Sequence, residues 1–191
     1  APCTARRYKA EGMQLEAQHY LHCRRPLINA TCPFGCGLQV HCLSGHDQTV
    51  CSILSQAGDP QVITGSHDST IRLWDLRTAK TMSTLTFHKK SVRAMALHPF
   101  EHAFGSASAD NIKKFALPRG EFLHNTLIPQ RAIVNAMAIN QDNVMVTGGD
   151  NGSLWFWDWT SGHCFQQNET LVQPGSLEAE AGINAAGFDV R

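Results

Sequence analysis

The chain has 191 residues, 42% of them hydrophobic and 17% charged, with 16 basic and 16 acidic side chains and no formal net charge at pH 7. This balance excludes a disordered or collagenous chain and a basic protein that coats polyanions. No run approaches the roughly 18 consecutive apolar residues of a membrane span, and charges scattered through residues 1–30 leave no apolar leader to expect there.

Residues 1–37 resist assignment. Arg6, Arg7, Lys9, Arg24 and Arg25 face only Glu11 and Glu16 there, and Pro26, Pro33, Gly35 and Gly37 stand among scattered cysteines without sustained alternation or a helical stripe. The segment is read as a misassembled exon or a frame-shifted stretch ahead of a repeat region at 38–191. The seven cysteines, an odd number without framework spacing, are expected to be reduced thiols. His19, His22, Cys23, Cys32, Cys36, His41 and Cys42 are weak zinc donors, because no second pair follows Cys32 and Cys36 at finger spacing. Neither phosphate-cradling glycine motif is present, so no metal and no cofactor is assigned.

From Leu38 the chain repeats itself. Val62-Ile63-Thr64-Gly65-Ser66-His67-Asp68-Ser69-Thr70-Ile71-Arg72-Leu73-Trp74-Asp75 is an apolar run, a turn and an alternating run that closes on Trp-Asp. It recurs at 144–158, closing on Trp157-Asp158, and in degenerate form at 104–115, closing on Phe115. Trp74, Phe115 and Trp157 are spaced by 41 and then 42 residues, and His46 and His88 by 42. A period of this length, with Gly45-His46 ahead of the first strand, resembles the WD-repeat signature of a four-stranded propeller blade. In the first unit the predicted strands are Thr49 to Leu54, Gln61 to Ser66, Thr70 to Asp75 and Thr81 to Thr86. At the far end, Gly182 to Asp189 reads as a lone first strand.

Each unit can bury a polar chain in which a turn carboxylate meets an imidazole, the imidazole a hydroxyl, and the hydroxyl an indole N–H. In the first unit these parts are Asp68, His46, Thr64 (or Ser66) and Trp74; in the second, Asp110, His88 and Ser106 or Ser108, with Phe115 in place of the indole. The third has Gln130 at the histidine position, with Thr147, Asp150 or Asn151, and Trp157. Asp, His and a hydroxyl also compose a hydrolase triad, but a hydroxyl committed to an indole inside a sheet, with no oxyanion donors signalled, argues for structure and against an enzyme. His67 and the interblade Lys89-Lys90 are the candidate partner-contacting residues on loops. Without a net positive field, RNA contact is expected only inside a larger assembly.

The segments at 64–71, 88–95, 108–115 and 172–178, together with Trp155-Phe156-Trp157-Asp158-Trp159, resemble the pleiotropic regulator family over about 38–190. That resemblance implies an all-β, seven-bladed WD-repeat propeller, of which this sequence covers about three full blades and partial neighbours, with further blade sequence before Leu38 and after Arg191. It further implies a nuclear, noncatalytic subunit of the NineTeen Complex that accompanies the spliceosome. The alternative it implies is a substrate receptor that meets the adaptor of a cullin-based ubiquitin ligase through a Trp-Asp-x-Arg box. That box occurs as Trp74-Asp75-Leu76-Arg77, which makes Arg77 the candidate contact.

Overall fold

The computed structural model describes residues 6–10, 13–18, 27–31, 39–58, 62–125, 130, 132–171, 175 and 181–189. Among them the regular elements are all strands. β1 (Arg6–Ala10), β2 (Met13–Gln18), β3 (Leu27–Thr31) and β4 (Gln39–Ser44) form one sheet. β5 (Val50–Ser55), β6 (Val62–Ser66), β7 (Ile71–Asp75) and β8 (Lys80–Leu85) form the next, here called the first unit. The second unit is β9 (Val92–Leu97), β10 (Ala103–Ser108), β11 (Ile112–Ala116) and β12 (Glu121–Asn125); the third is β13 (Val134–Ile139), β14 (Val144–Gly149), β15 (Ser153–Asp158) and β16 (Cys164–Glu169). Each sheet is an antiparallel meander whose spatial order is its chain order.

The strands expected in the first unit are present with boundaries moved by about a residue. Residues 1–37, to which sequence assigns no element, contain β1, β2 and β3, and β4 on the far side of that boundary completes their sheet. The one expected strand that does not form is Gly182 to Asp189. Ile183 N–H donates to Gly149 O at 2.9 Å, but no ladder develops, because a first strand is ordered by pairing with the second strand of its own sheet, and the described residues hold no such strand for it.

Burial grades across the first, second and third units as a propeller requires. β6 and β10 are buried at every position, whereas β16 is exposed along nearly all its length. First strands lie against first strands, β1 by β5, β5 by β9 and β9 by β13. A bulge recurs in β5, β9 and β13, at Cys51, Arg93 and Asn135 in turn; Arg93 Nη1 donates to Asn135 Oδ1 at 3.3 Å between neighbouring units.

Between sheets the second strand must be thin. Gly65, Ala107 and Gly148 occupy equivalent places: Val92 lies against Gly65 and Ile183 against Gly148, and Ala107 shares a buried cluster with Val134. A Cβ on Gly65 would lie 2.8 Å from Val92 Cγ1 and 3.1 Å from Met95 Sδ. This contact belongs to a buried layer of Ile63, Ile71, Leu73, Leu85, Val92, Met95, Phe104 and Phe115 that joins the first and second units. A second layer, including Ala107, Ile112, Val134, Met137, Met145 and Trp157, joins the second and third. Gly65→Val should therefore lower the unfolding free energy by about 1–3 kcal/mol in urea denaturation through overpacking, and Gly65→Ala, which reproduces Ala107, by less.

Candidate functional site

The polar chain of the first unit is continuous. Trp74, on β7, donates its indole N–H to Thr64 Oγ1 on β6 at 2.8 Å, and Thr64 Oγ1 lies 2.6 Å from His46 Nε2. His46 Nδ1 lies 2.8 Å from Asp68 Oδ2, in the turn between β6 and β7. One assignment satisfies every member: the indole donates to the hydroxyl, the hydroxyl to Nε2, and Nδ1–H to the carboxylate. Asp68 is held further by the Thr70 hydroxyl at 2.6 Å and the Thr70 amide at 2.8 Å. Partial burial pushes the Asp68 carboxyl up, but hydrogen bonds from His46 and Thr70 outweigh it and hold the group well below the usual carboxylate range. Ser66, the other candidate hydroxyl, donates instead to Gln48 O at 3.1 Å.

The third unit rebuilds the same chain without an imidazole. Trp157 N–H donates to Thr147 Oγ1 at 2.8 Å, and Thr147 donates to Gln130 Oε1 at 2.7 Å. Gln130 Nε2 donates to Ser153 Oγ at 2.7 Å, which donates to Asn151 Oδ1 at 2.6 Å. A primary amide has an acceptor at one end and donors at the other, so it transmits the same polarity as a neutral histidine. Of the two turn residues left open by the sequence, Asn151 ends the chain, and Asp150 Oδ1 instead accepts from the Ile133 amide at 3.1 Å.

The second unit is interrupted. His88 Nε2 meets Ser106 Oγ at 2.7 Å, which selects Ser106 over Ser108, but His88 Nδ1 and Asp110 Oδ2 are both buried without a hydrogen-bond partner. Asp110 is drawn to Lys90, whose Nζ lies 3.1 Å from Oδ1. Burial, helped by nearby Lys113 and opposed by Asp110, pushes the His88 pKa down to about 4. Phe115 fills the indole position and packs with Phe104, ring centroids 5.3 Å apart.

The aspartate of Trp-Asp does different work from the tryptophan. Asp75 accepts from the Arg77 amide and the Thr78 hydroxyl, and those bonds, the Arg77 amide foremost, hold its pKa below the ordinary value. Asp158 accepts in the same way from the Thr160 and Ser161 amides. Each organises the loop to the fourth strand and stays outside the buried chain. Arg77 itself is exposed. His67 is partly buried, with its pKa lowered by burial and then by Arg93, and Lys89 and Lys90 are exposed. The structure thus separates Arg77, beyond the third strand, from His67, Lys89 and Lys90 beyond the opposite strand ends. The weak zinc donors His19, His22, Cys23, Cys32 and Cys36 lie outside the described residues.

Sequence reasoning passes over a latch between the second and third units. Trp159 N–H donates to Glu101 Oε2 at 2.8 Å, and Lys114 Nζ lies 3.2 Å from that oxygen and 4.3 Å above the indole. His98 stacks on Trp159 and hydrogen-bonds Asn143 Oδ1 at 2.8 Å. The one available signal was the apolar residue directly after Trp157-Asp158, where the first unit has Leu76.

The WD domain, G-beta repeat family matches residues 37–75 and 122–158, and the stretch between the two matches carries Phe115 in place of Trp. Protein pleiotropic regulator PRL2 of Arabidopsis thaliana is 71% identical over 110 residues, 58% of this chain and 23% of that protein. Over these stretches the chain is similar to the pleiotropic regulator family of WD-repeat proteins. Pleiotropic regulator 1 of Mus musculus is 54% identical over 97 residues, 51% of this chain and 19% of its own length. Pre-mRNA-splicing factor PRP46 of Candida glabrata is 44% identical over 110 residues, 58% of this chain and 26% of its own. The chain therefore spans roughly a fifth to a quarter of these relatives. Both matched stretches take in the outermost strand of one sheet and end on the third strand of the next, β4 to β7 and β12 to β15.

Two measurements follow from this geometry. Trp74→Phe keeps the apolar bulk but leaves the buried Thr64 hydroxyl without its donor, which should cost about 1–3 kcal/mol in urea denaturation. For His88 the unfolded chain takes up a proton near the ordinary pKa of 6.5, whereas the folded chain does so only near 4. Stability should therefore fall as pH drops through that window, by up to about 3 kcal/mol, and His88→Gln, which copies the amide of Gln130, should flatten the slope in unfolding curves taken across it.

Proposed function

We propose that the chain acts as a noncatalytic WD-repeat scaffold in pre-mRNA splicing, in the nucleus, as part of a seven-bladed propeller subunit of the NineTeen Complex. The observation that carries this reading is the identity with proteins named as pleiotropic regulators and as a pre-mRNA-splicing factor. The geometry supports a scaffold in another way. Thr64 has no exposed surface, and its oxygen is bonded to both an indole and an imidazole, so the one complete Asp-His-hydroxyl set among the described residues offers nothing for a substrate to reach. Its partners are protein subunits of the complex, with RNA contact confined to the assembly. Residues 38–191 supply the repeat region and residues 1–37 precede it.

The cullin-adaptor alternative rests on Arg77 alone. Its loop is built by Asp75 through the Arg77 amide, which leaves the exposed guanidinium outside that bond. The relatives above are named for pleiotropic regulation and splicing, so the scaffold reading is preferred. Arg77→Asp, carried in the complete protein, should change stability by no more than about 0.5 kcal/mol, as at other surface sites. Expressed in cells lacking the wild-type protein, it should restore intron removal and co-purify with the splicing complex. Failure of that rescue at normal protein levels would move the functional surface to the Arg77 loop and overturn the preference.

A further inference from the structure

The rim between the first and second units presents apolar rings and cations side by side. Phe87 follows β8 and Phe122 lies on β12; their rings stack at 5.5 Å with planes 20° apart. Both also rest on buried Phe115, at 5.6 and 5.9 Å, because the ring that replaces the indole in this unit faces them directly. Even so, Phe87 is 50% and Phe122 42% exposed. Lys113 Nζ stands 5.3 Å over the Phe122 ring, and Lys89, exposed, begins the next loop two residues after Phe87. Burial and then the Lys89 charge lower the Lys113 pKa, which places the two cations within reach of each other's field. The nearest turn carboxylate, Asp110, is held by Lys90. Glu121 adjoins Phe122 in β12, where successive side chains point to opposite faces.

We propose that this rim receives an acidic peptide segment bearing an apolar side chain, with Lys89 and Lys113 taking its carboxylates and the Phe87–Phe122 pair its apolar group. Charge complementarity sets the sign of the partner, and ring geometry selects a peptide over single-stranded RNA. A stacked base needs a free ring face. Phe122 is already stacked by Phe87 and has the Lys113 ammonium over its ring, and Phe87 is stacked on Phe122 and tilted against Phe115. With the rings engaged by one another and by a cation, the apolar surface left open beside two ammonium groups suits an aliphatic or aromatic side chain flanked by carboxylates. Both walls of the rim belong to the described residues, so this proposal is independent of the splicing role and of any further blade.

The test is fluorescence anisotropy on the purified protein with three labelled probes of equal length: glutamates around a central phenylalanine, the same peptide with glutamines, and oligouridylate. The acidic peptide should bind best, and its binding should weaken with added salt. The double variant Lys89→Gln, Lys113→Gln should weaken it about tenfold with an unchanged melting midpoint, whereas Lys80→Gln, on β8, should leave it as it was. Phe122→Ser should abolish the preference for a central phenylalanine over a central serine, which reads the apolar contact independently of charge. Tighter binding of oligouridylate, equal binding of the glutamate and glutamine peptides, absence of binding, or indifference to the lysine substitutions would each overturn the proposal.

Discussion

A hydroxyl buried between two ring systems governs how the first unit is assembled. Thr64 Oγ1 accepts from Trp74 and bonds His46, three residues brought from the third strand, the second strand and the loop ahead of the first. Any strand slip by one residue would turn the indole to the other face of the sheet and leave that hydroxyl dry and unpaired, at a cost of about 1–3 kcal/mol. The apolar layers supply most of the driving force and disfavour the same slip. Saturating the hydroxyl adds a directional requirement that apolar contact lacks.

That constraint fixes the polarity of the chain of bonds and leaves its chemistry open. An imidazole serves in the first unit and a primary amide in the third, because both offer an acceptor toward the hydroxyl and a donor toward the turn. The second unit shows the consequence of a competing charge. Lys90 engages Asp110, His88 is left with a bare Nδ1, and the indole is replaced by a phenyl ring that asks nothing of the hydroxyl. The second unit is accordingly where buried polar atoms stay unpaired, His88 Nδ1 and Asp110 Oδ2 among them.

Much of this was legible in the residues. The spacing of Trp74, Phe115 and Trp157 located three sheets, and Asp68, His46 and Trp74 could be placed together because each type has one bonding capacity to satisfy. Between Thr64 and Ser66, both hydroxyls on one strand and one face, only the folded geometry decides. Asp110 was expected beside His88, and the competing ammonium, distant in sequence by 20 residues, is invisible to a pattern that looks within one network. The sheet of β1–β4 was missed although Met13-Gln14-Leu15-Glu16-Ala17-Gln18 alternates perfectly, because a short alternating run with neither an indole nor a glycine turn beside it carries little weight. The Glu101–Trp159 latch was hidden for a different reason: its partners lie 58 residues apart and share no period.

The phase between the sequence repeat and the sheet has a consequence for how such chains change over time. Each repeat runs from the outer strand of one sheet through the third strand of the next, as β4 to β7 and β12 to β15 do. A duplicated repeat therefore arrives already woven into both of its neighbours, closing the sheet behind it and opening the one ahead. Had the repeat coincided with the sheet, every added copy would have been a self-contained bead joined by a hinge. Offset by one strand, covalent continuity itself ties adjacent sheets together, and growth by duplication lengthens a single interlocked body without inventing a new interface.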